Sequence, residues 1–225
     1  MTNTQKEAID SGTFDGLHLG DYWSINGLKW YIVGFNFFSS IAKNHVVLFP
    51  SESLGSSSLI EPLPDGSETE AYLATLPYFG DYPFFKGGYL PFEETLRAAF
   101  GDYIAPHAVR RKSRTGGRYA WFTVPFSFID LDNLPPLLEW KTQYLTPDEQ
   151  LPLPQGGYGR YWTEGFDYTW TMPEDTEEFN PPTVITQHEF GGQPSGLSVG
   201  EQANIRPLFA VTGTENKEPE EEETA

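Results

Sequence analysis

Proline and glycine break this chain so often that only one stretch has room for a helix of several turns. There are 19 Pro and 22 Gly in 225 residues, and both weaken or stop helices. The surviving candidate is "PFEETLRAAFGDYI" (91–104). Pro91 suits a first helical turn, and Glu93 and Glu94 complement the N-terminal dipole. Phe92, Leu96, Ala99 and Phe100 fall on one face, and Gly101 is a natural stop. Elsewhere the segments are short and strand-like, which predicts an irregular β chain with many loops.

The core of such a chain has to come from rings. Hydrophobic residues make up 38% of the sequence, a modest share, but aromatics alone reach 16%, and each buried ring removes roughly 150–250 Å² from water. The stretch "GDYWSINGLKWYIVGF" (20–35) concentrates them. Asn26-Gly27 predicts a two-residue type I′ turn, because Asn and Gly tolerate positive φ best. Pairing across that turn sets Trp23 opposite Trp30 and Ile25 opposite Leu28, with Ile32 extending the apolar face. Tyr22, Ser24, Lys29 and Tyr31 line the other face.

Further along, "NHVVLFP" (44–50) reads as a strand ended by Pro50, and 51–70 as a loop rich in Ser, Gly, Pro and acid. "RYAWFTVPFSFIDL" (118–131) is strand-like and broken at Pro125. Residues 132–183 alternate Pro, Gly and aromatics, which predicts long loops pinned by ring packing. "ANIRPLFAVTG" (203–213) is expected to be an edge or barrel-closing strand, since Pro207 cannot donate in a ladder. Residues 1–13 read as a polar arm, 14–213 as one domain, and 214–225 as an acidic tail with no apolar residue to dock it.

Charge narrows the function classes. The formal net charge of −18 argues against nucleic acid as a partner. No run approaches the roughly 20 apolar residues of a membrane span, and no apolar signal region opens the chain, so neither membrane insertion nor secretion by the general route is expected. Without a single Cys, there is no disulfide framework and no thiolate ligand or nucleophile.

Catalytic patterns are wanting too. His18, His45, His107 and His188 form no HxxxH or HExxH pattern and read as loop or satisfied core residues rather than metal ligands. There is no GxSxG elbow and no GxxxxGK[ST] phosphate loop. Asp130 and Asp132 would share a strand face, a spacing that suits a Ca²⁺ site or nothing. The expectation is no enzyme, no cofactor and no metal.

One cluster stands against the acidic background. Arg110, Arg111, Lys112, Arg114 and Arg118 put five of the 14 basic residues into "RRKSRTGGR". The cluster is either a solvated loop or an anion- or partner-docking loop, since Arg forks pair with carboxylate or phosphate. The closing "EPEEEETA" offers such an anion, which suggests the tail of one copy on the loop of the next and hence a homo-oligomer.

Three segments carry a resemblance to a known family: "GTFDGLHLGDYWSINGLKWYIVGFNFF" (12–38) followed by "NHVVLFP", "GGYLPFEETLRAAFG" (87–101), and "NIRPLFAV" (204–211). Together they resemble an uncharacterised domain family of tailed-phage virion proteins and bacterial surface proteins. That resemblance implies an α+β, mostly irregular β fold of the C-type-lectin-like type, akin to formylglycine-generating enzymes, with one or two short helices and long loops. It implies a virion location and partners among other capsid or tail proteins, as a capsid decoration, head fibre or tail component. The chemistry of formylglycine generation uses cysteines, so that activity is not expected here. It further implies that Trp23, Asn26, Gly27 and Trp30 are structural, the tryptophans packing with Ile32 beneath the terminal strand. Arg206 would tie that strand to a loop carboxylate or to carbonyls. An alternative is a host-glycan adhesin, whose candidate ligand face is Tyr158, Tyr161, Trp162, Tyr168 and Trp170, although such rings equally hold long loops together.

Overall fold

A computed structural model describes residues 1–58, 89–112, 119–127, 129–130, 160–164, 183–186, 195–196 and 202–216. These residues make an α+β arrangement of mostly antiparallel strands with two short α-helices.

The first helix corrects the reading of a polar arm. α1 (Asn3–Ser11) starts at a capping box: the Thr2 hydroxyl accepts from Gln5 N–H, and the Gln5 side chain accepts from Thr2 N–H. Two of the orphan donors at the helix start are thereby satisfied reciprocally. Gly12 closes the helix in the left-handed region, φ 73°, a conformation that glycine adopts without a Cβ penalty. Ile9 is fully buried in the core cluster, so this segment belongs to the domain. Polarity by count hid a helix with one buried stripe.

The hairpin is as expected. β1 (Tyr22–Ile25) and β2 (Leu28–Phe35) pair antiparallel with Trp23 opposite Trp30 and Ile25 opposite Leu28. Asn26 and Gly27 take φ of 52° and 82°, as a type I′ turn requires. β3 (His45–Pro50), buried along its whole length, pairs with β2. A bulge between Ile32 and Gly34 shifts the register.

α2 (Leu90–Phe100) runs into a 3-10 turn (Gly101–Tyr103) and then β5 (Ile104–Ala105). Leu96 and Phe100 are buried, as the periodicity predicts, and so is Glu93, whose carboxylate takes Arg97 at 2.7 Å. The last strand of the chain, β13 (Phe209–Thr212), lies between β3 and β5, giving the order β1-β2-β3-β13-β5. It is therefore an interior strand and not an edge. Pro207 does no harm, because it sits in the non-strand link between β12 (Gln202–Asn204) and β13.

Trp30 is the centre of the core. It is fully buried and meets Phe100 at 5.5 Å and Phe209 at 5.6 Å, both nearly edge to face, the arrangement that ring quadrupoles favour. Its indole N–H donates to Ile25 O at 3.3 Å, so no polar atom of the largest buried ring is wasted. β2 and β13 thus share one core beneath the sheet, with β3 between them.

A second sheet has the order β11-β10-β9-β12-β4, built from β11 (Ser195–Gly196), β10 (Thr183–Thr186), β9 (Arg160–Glu164), β12 and β4 (Ser56–Ser58), with β8 (Ile129–Asp130) alongside β9 in parallel. β9 corrects the reading of 132–183 as loops, since five of those residues make a strand. Arg206 joins the two sheets. It is 2% exposed, lies over the Phe49 ring at 4.4 Å and donates to Pro50 O at 2.6 Å and Ser51 O at 2.9 Å. Carbonyls, one of the two kinds of partner expected, are its acceptors among the described residues.

Candidate interaction ribbon

Part of the basic cluster lies on a two-stranded ribbon. Among the described residues, β6 (His107–Lys112) and β7 (Tyr119–Val124) pair only with each other, in register from His107 opposite Val124 to Lys112 opposite Tyr119. Six residue pairs give a ribbon of about 20 Å at roughly 3.3 Å per residue. Arg110, Arg111 and Lys112 are thus strand residues, whereas Arg114 and Arg118 lie outside the described residues.

Alternation sorts the ribbon into two faces. His107 and Val124 are buried and Val109 and Phe122 half-buried, while Trp121 and Thr123 are exposed. Trp121 is 69% exposed, the most of any large apolar residue described. Arg110 stands directly opposite it in the ladder, and Lys112 and Tyr119 pair two positions farther along the same register. Period-two geometry therefore places positions 110, 112, 119 and 121 at register positions of one face, the face of the exposed Trp121. The exposed Trp121 ring offers a partner a flat apolar surface on this ribbon.

The root of the ribbon is fixed by a buried aromatic stack. The His107 ring lies on Phe38, and its Nε2 is 2.9 Å from Ser127 Oγ. Ala108 N–H donates to Ser40 Oγ at 2.8 Å, so the 36–41 segment straps the start of β6. That segment is itself held by His45, whose Nε2 accepts from Phe38 N–H at 3.1 Å. The acceptor role places the His45 proton on Nδ1, which donates to Lys43 O at 2.9 Å. Burial holds His45 below the ordinary imidazole range, and the Lys43 carbonyl opposes that more weakly. His45 and His107 are buried core residues, as the sequence suggests, but the fold brings both to one phenylalanine, which no spacing rule reveals. The Ser127–His107 contact has the chemistry of a nucleophile and base; both residues are buried, at 3% and 1% exposure, and the pair packs the ribbon's root.

A cleft of about 260 Å³ opens between α1 and the hairpin, lined in part by Gln5, Leu17, Asp21, Tyr22 and Trp23. Two of its polar atoms are engaged within the chain. Gln5 Oε1 accepts from Trp23 Nε1 at 3.1 Å as well as from Thr2 N–H, and Asp21 Oδ2 accepts from His18 N–H at 2.8 Å. The cleft is a seam that locks helix to hairpin.

Among the described residues, no group of three or more His, Asp or Glu is placed to hold a metal ion, and no helix is long and apolar enough to cross a membrane. Of the expected glycan face, Tyr161 and Trp162 are successive residues of β9, opposite Ile185 and Val184 of β10. Tyr158, Tyr168 and Trp170 lie outside the described residues, as do His188 and Asp132. No family model, curated protein or solved structure matches the chain.

Proposed function

We propose that this chain is a non-enzymatic structural protein of a tailed-phage virion, exposed on the particle as a capsid decoration, head fibre or tail component, and attached to other particle proteins through the β6–β7 ribbon. The ribbon carries the attachment half of this reading. An exposed Trp on strands that, among the described residues, pair with neither sheet gives a partner an aromatic anchor of the kind that dominates interfaces.

The virion half rests on the resemblance, and the geometry adds one support. The segments that carry it, 12–38, 87–101 and 204–211, contribute Trp30, Phe100 and Phe209, which meet as one ring cluster. Residues that pattern together in sequence thus also pack together. The C-type-lectin-like fold is proposed on the same ground.

The experiment is immunogold labelling of particles produced by the source genome, with wild-type chain and Trp121→Ser. Gold on wild-type particles, lost with a folded Trp121→Ser variant, is the expected result. Chain found only in the soluble fraction of the lysate overturns the virion reading.

A further inference from the structure

β1 ends the first sheet, and among the described residues no strand pairs with its far side. One hydrogen bond shows which of its backbone groups face outward. Asp21 O accepts from Ile32 N–H at 2.8 Å, so the Asp21 carbonyl is turned toward β2. Backbone groups of successive residues alternate between the two sides of an antiparallel strand. The N–H and C=O of Tyr22 and Ser24 therefore point away from β2. Both residues are exposed, and neither backbone is engaged outside the hairpin among the described residues.

Edge strands that stay free are commonly blunted by a charge, a Pro or a bulge. β1 reads Tyr-Trp-Ser-Ile, with no charge and no Pro, and it meets β2 residue for residue. The cleft of about 260 Å³ lies beside it, lined in part by Gln5, Leu17, Asp21, Tyr22, Trp23 and Ile32. Asp21 and Trp23 fall on one face of the strand. A strand added to this edge sets every second side chain on that same face, over the cleft.

We propose that the β1 edge takes up an extended segment of a partner protein as an added strand, with a Lys or Arg of that segment seated at the cleft. This surface is separate from the β6–β7 ribbon and does not depend on it.

The charges around β1 select the cation and its position. Asp21 is half exposed; its Oδ2 accepts from His18 N–H at 2.8 Å, while its Oδ1 has no hydrogen-bond partner among the described residues. Trp23 and Tyr22 supply rings, which attract an ammonium or guanidinium. The other face of the hairpin has the opposite sign, since Lys29 Nζ lies over the Tyr22 ring at 4.7 Å. A basic side chain is thus favoured on the cleft face and repelled on the other. The net charge of −18 draws a basic segment in from a distance. Main-chain hydrogen bonds to Tyr22 and Ser24 then supply affinity, and the cleft supplies specificity, as in other cases of strand addition. A second copy is the poorer occupant. Four residues of edge bury far less than the roughly 1,200 Å² at which stable interfaces begin, and β1 has no cation to offer Asp21.

The test uses the peptide Ser-Val-Thr-Lys-Thr-Val-Ser with both ends blocked, titrated into the full isotope-labelled chain and followed by amide NMR. Saturable binding is expected, with the Tyr22 and Ser24 amides shifting and gaining protection from exchange. Replacing the peptide's Lys by norleucine should weaken binding about tenfold or more. N-methylation of one alternating set of peptide amides should abolish binding while the other set is tolerated, because only one side of an added strand faces β1. Asp21→Asn keeps an acceptor for His18 N–H and should lose the preference for Lys over norleucine. Ser24→Pro removes an outward N–H and spares the ladder to β2, so it should weaken binding too. No saturable binding up to about 1 mM peptide overturns the proposal. So does equal tolerance of both methylated sets, or a preference for Lys that survives Asp21→Asn. A peptide-free chain that dimerises with its Tyr22 and Ser24 amides already protected overturns it in favour of a second copy. Should Ser24→Pro not fold, the methylated peptides decide alone, since they change nothing in the chain.

Discussion

His107 lies flat on Phe38, with ring centroids 3.8 Å apart and planes 19° from parallel. His45 stacks toward the same ring at 6.1 Å and accepts the Phe38 N–H. One phenylalanine thus couples the middle of the sheet to the root of the ribbon, and burial holds one of its two supports, His45, below the ordinary imidazole range.

The pH dependence follows in sign from burial. His45 has a lower pKa folded than unfolded, so its contribution is complete above the unfolded value of about 6.5 and is lost as pH falls below it toward the folded value. Protonation also puts a hydrogen on Nε2, facing the Phe38 N–H. Urea unfolding of wild type between pH 7.5 and 5.5 is expected to show stability falling with pH, and His45→Gln to flatten that slope. An unchanged slope in the variant removes His45 as its source.

Trp30→Ala is expected to cost about 3–5 kcal/mol, the range for a large ring deleted from a packed core. Trp30→Phe keeps a ring against Phe100 and Phe209 but leaves a void, and should cost less. Denaturant midpoints of the two variants, measured at matched slopes, check both the size and the order.

α1 makes two separate expectations. Thr2→Ala removes the hydroxyl half of the capping box and should lower stability by about 1 kcal/mol, a shift of roughly 2–4 °C in Tm for a chain of this size. Gly213→Ala acts at the other contact. A Cβ there would lie 2.6 Å from the Asp10 carboxyl group and closer still to the Lys6 carbonyl, so the helix has to move. Calorimetry should find Gly213→Ala the more harmful, although alanine is the gentler residue by propensity.

Arg206→Met keeps the length of the side chain and leaves the buried carbonyl of Pro50 without its donor. About 1–3 kcal/mol is the usual cost of such a loss. Arg206→Lys is expected to recover only part of it, because an ammonium lacks the flat guanidinium face that covers Phe49. A Lys variant as stable as wild type would show that charge, not shape, is what this position needs.

The hairpin was legible because its turn chemistry is local: Asn26-Gly27 determines the register, and the register determines that Trp30 faces inward. α2 was legible from its apolar spacing and Pro91, but α1 was not, because its average polarity outweighed Ile9. Its signal was present all the same, as a Thr with a Gln three residues on. The placement of β13 was misjudged because Pro207 was counted inside the strand, whereas it lies just before it. Of the ribbon, the sequence shows β7 as a strand-like stretch ending at Pro125, whereas β6 reads as part of a basic loop. Six pairs of residues flank "SRTGGR" (113–118), and neither those pairs nor the shared stack on Phe38 follow from local rules, since both depend on which segments the fold brings together.

The position of β13 also has a kinetic side. Its neighbours in the sheet, β3 at 45–50 and β5 at 104–105, are made long before residues 209–212. Until those four residues arrive, β3 presents the backbone of an apolar strand with one side unpaired, the kind of edge that other chains can add to. Sheet completion must wait for the ribosome to pass residue 212, and the closing step joins segments far apart in sequence, which slows folding. A product that stops short of Phe209 is therefore expected to aggregate rather than to fold into a smaller version of the same protein.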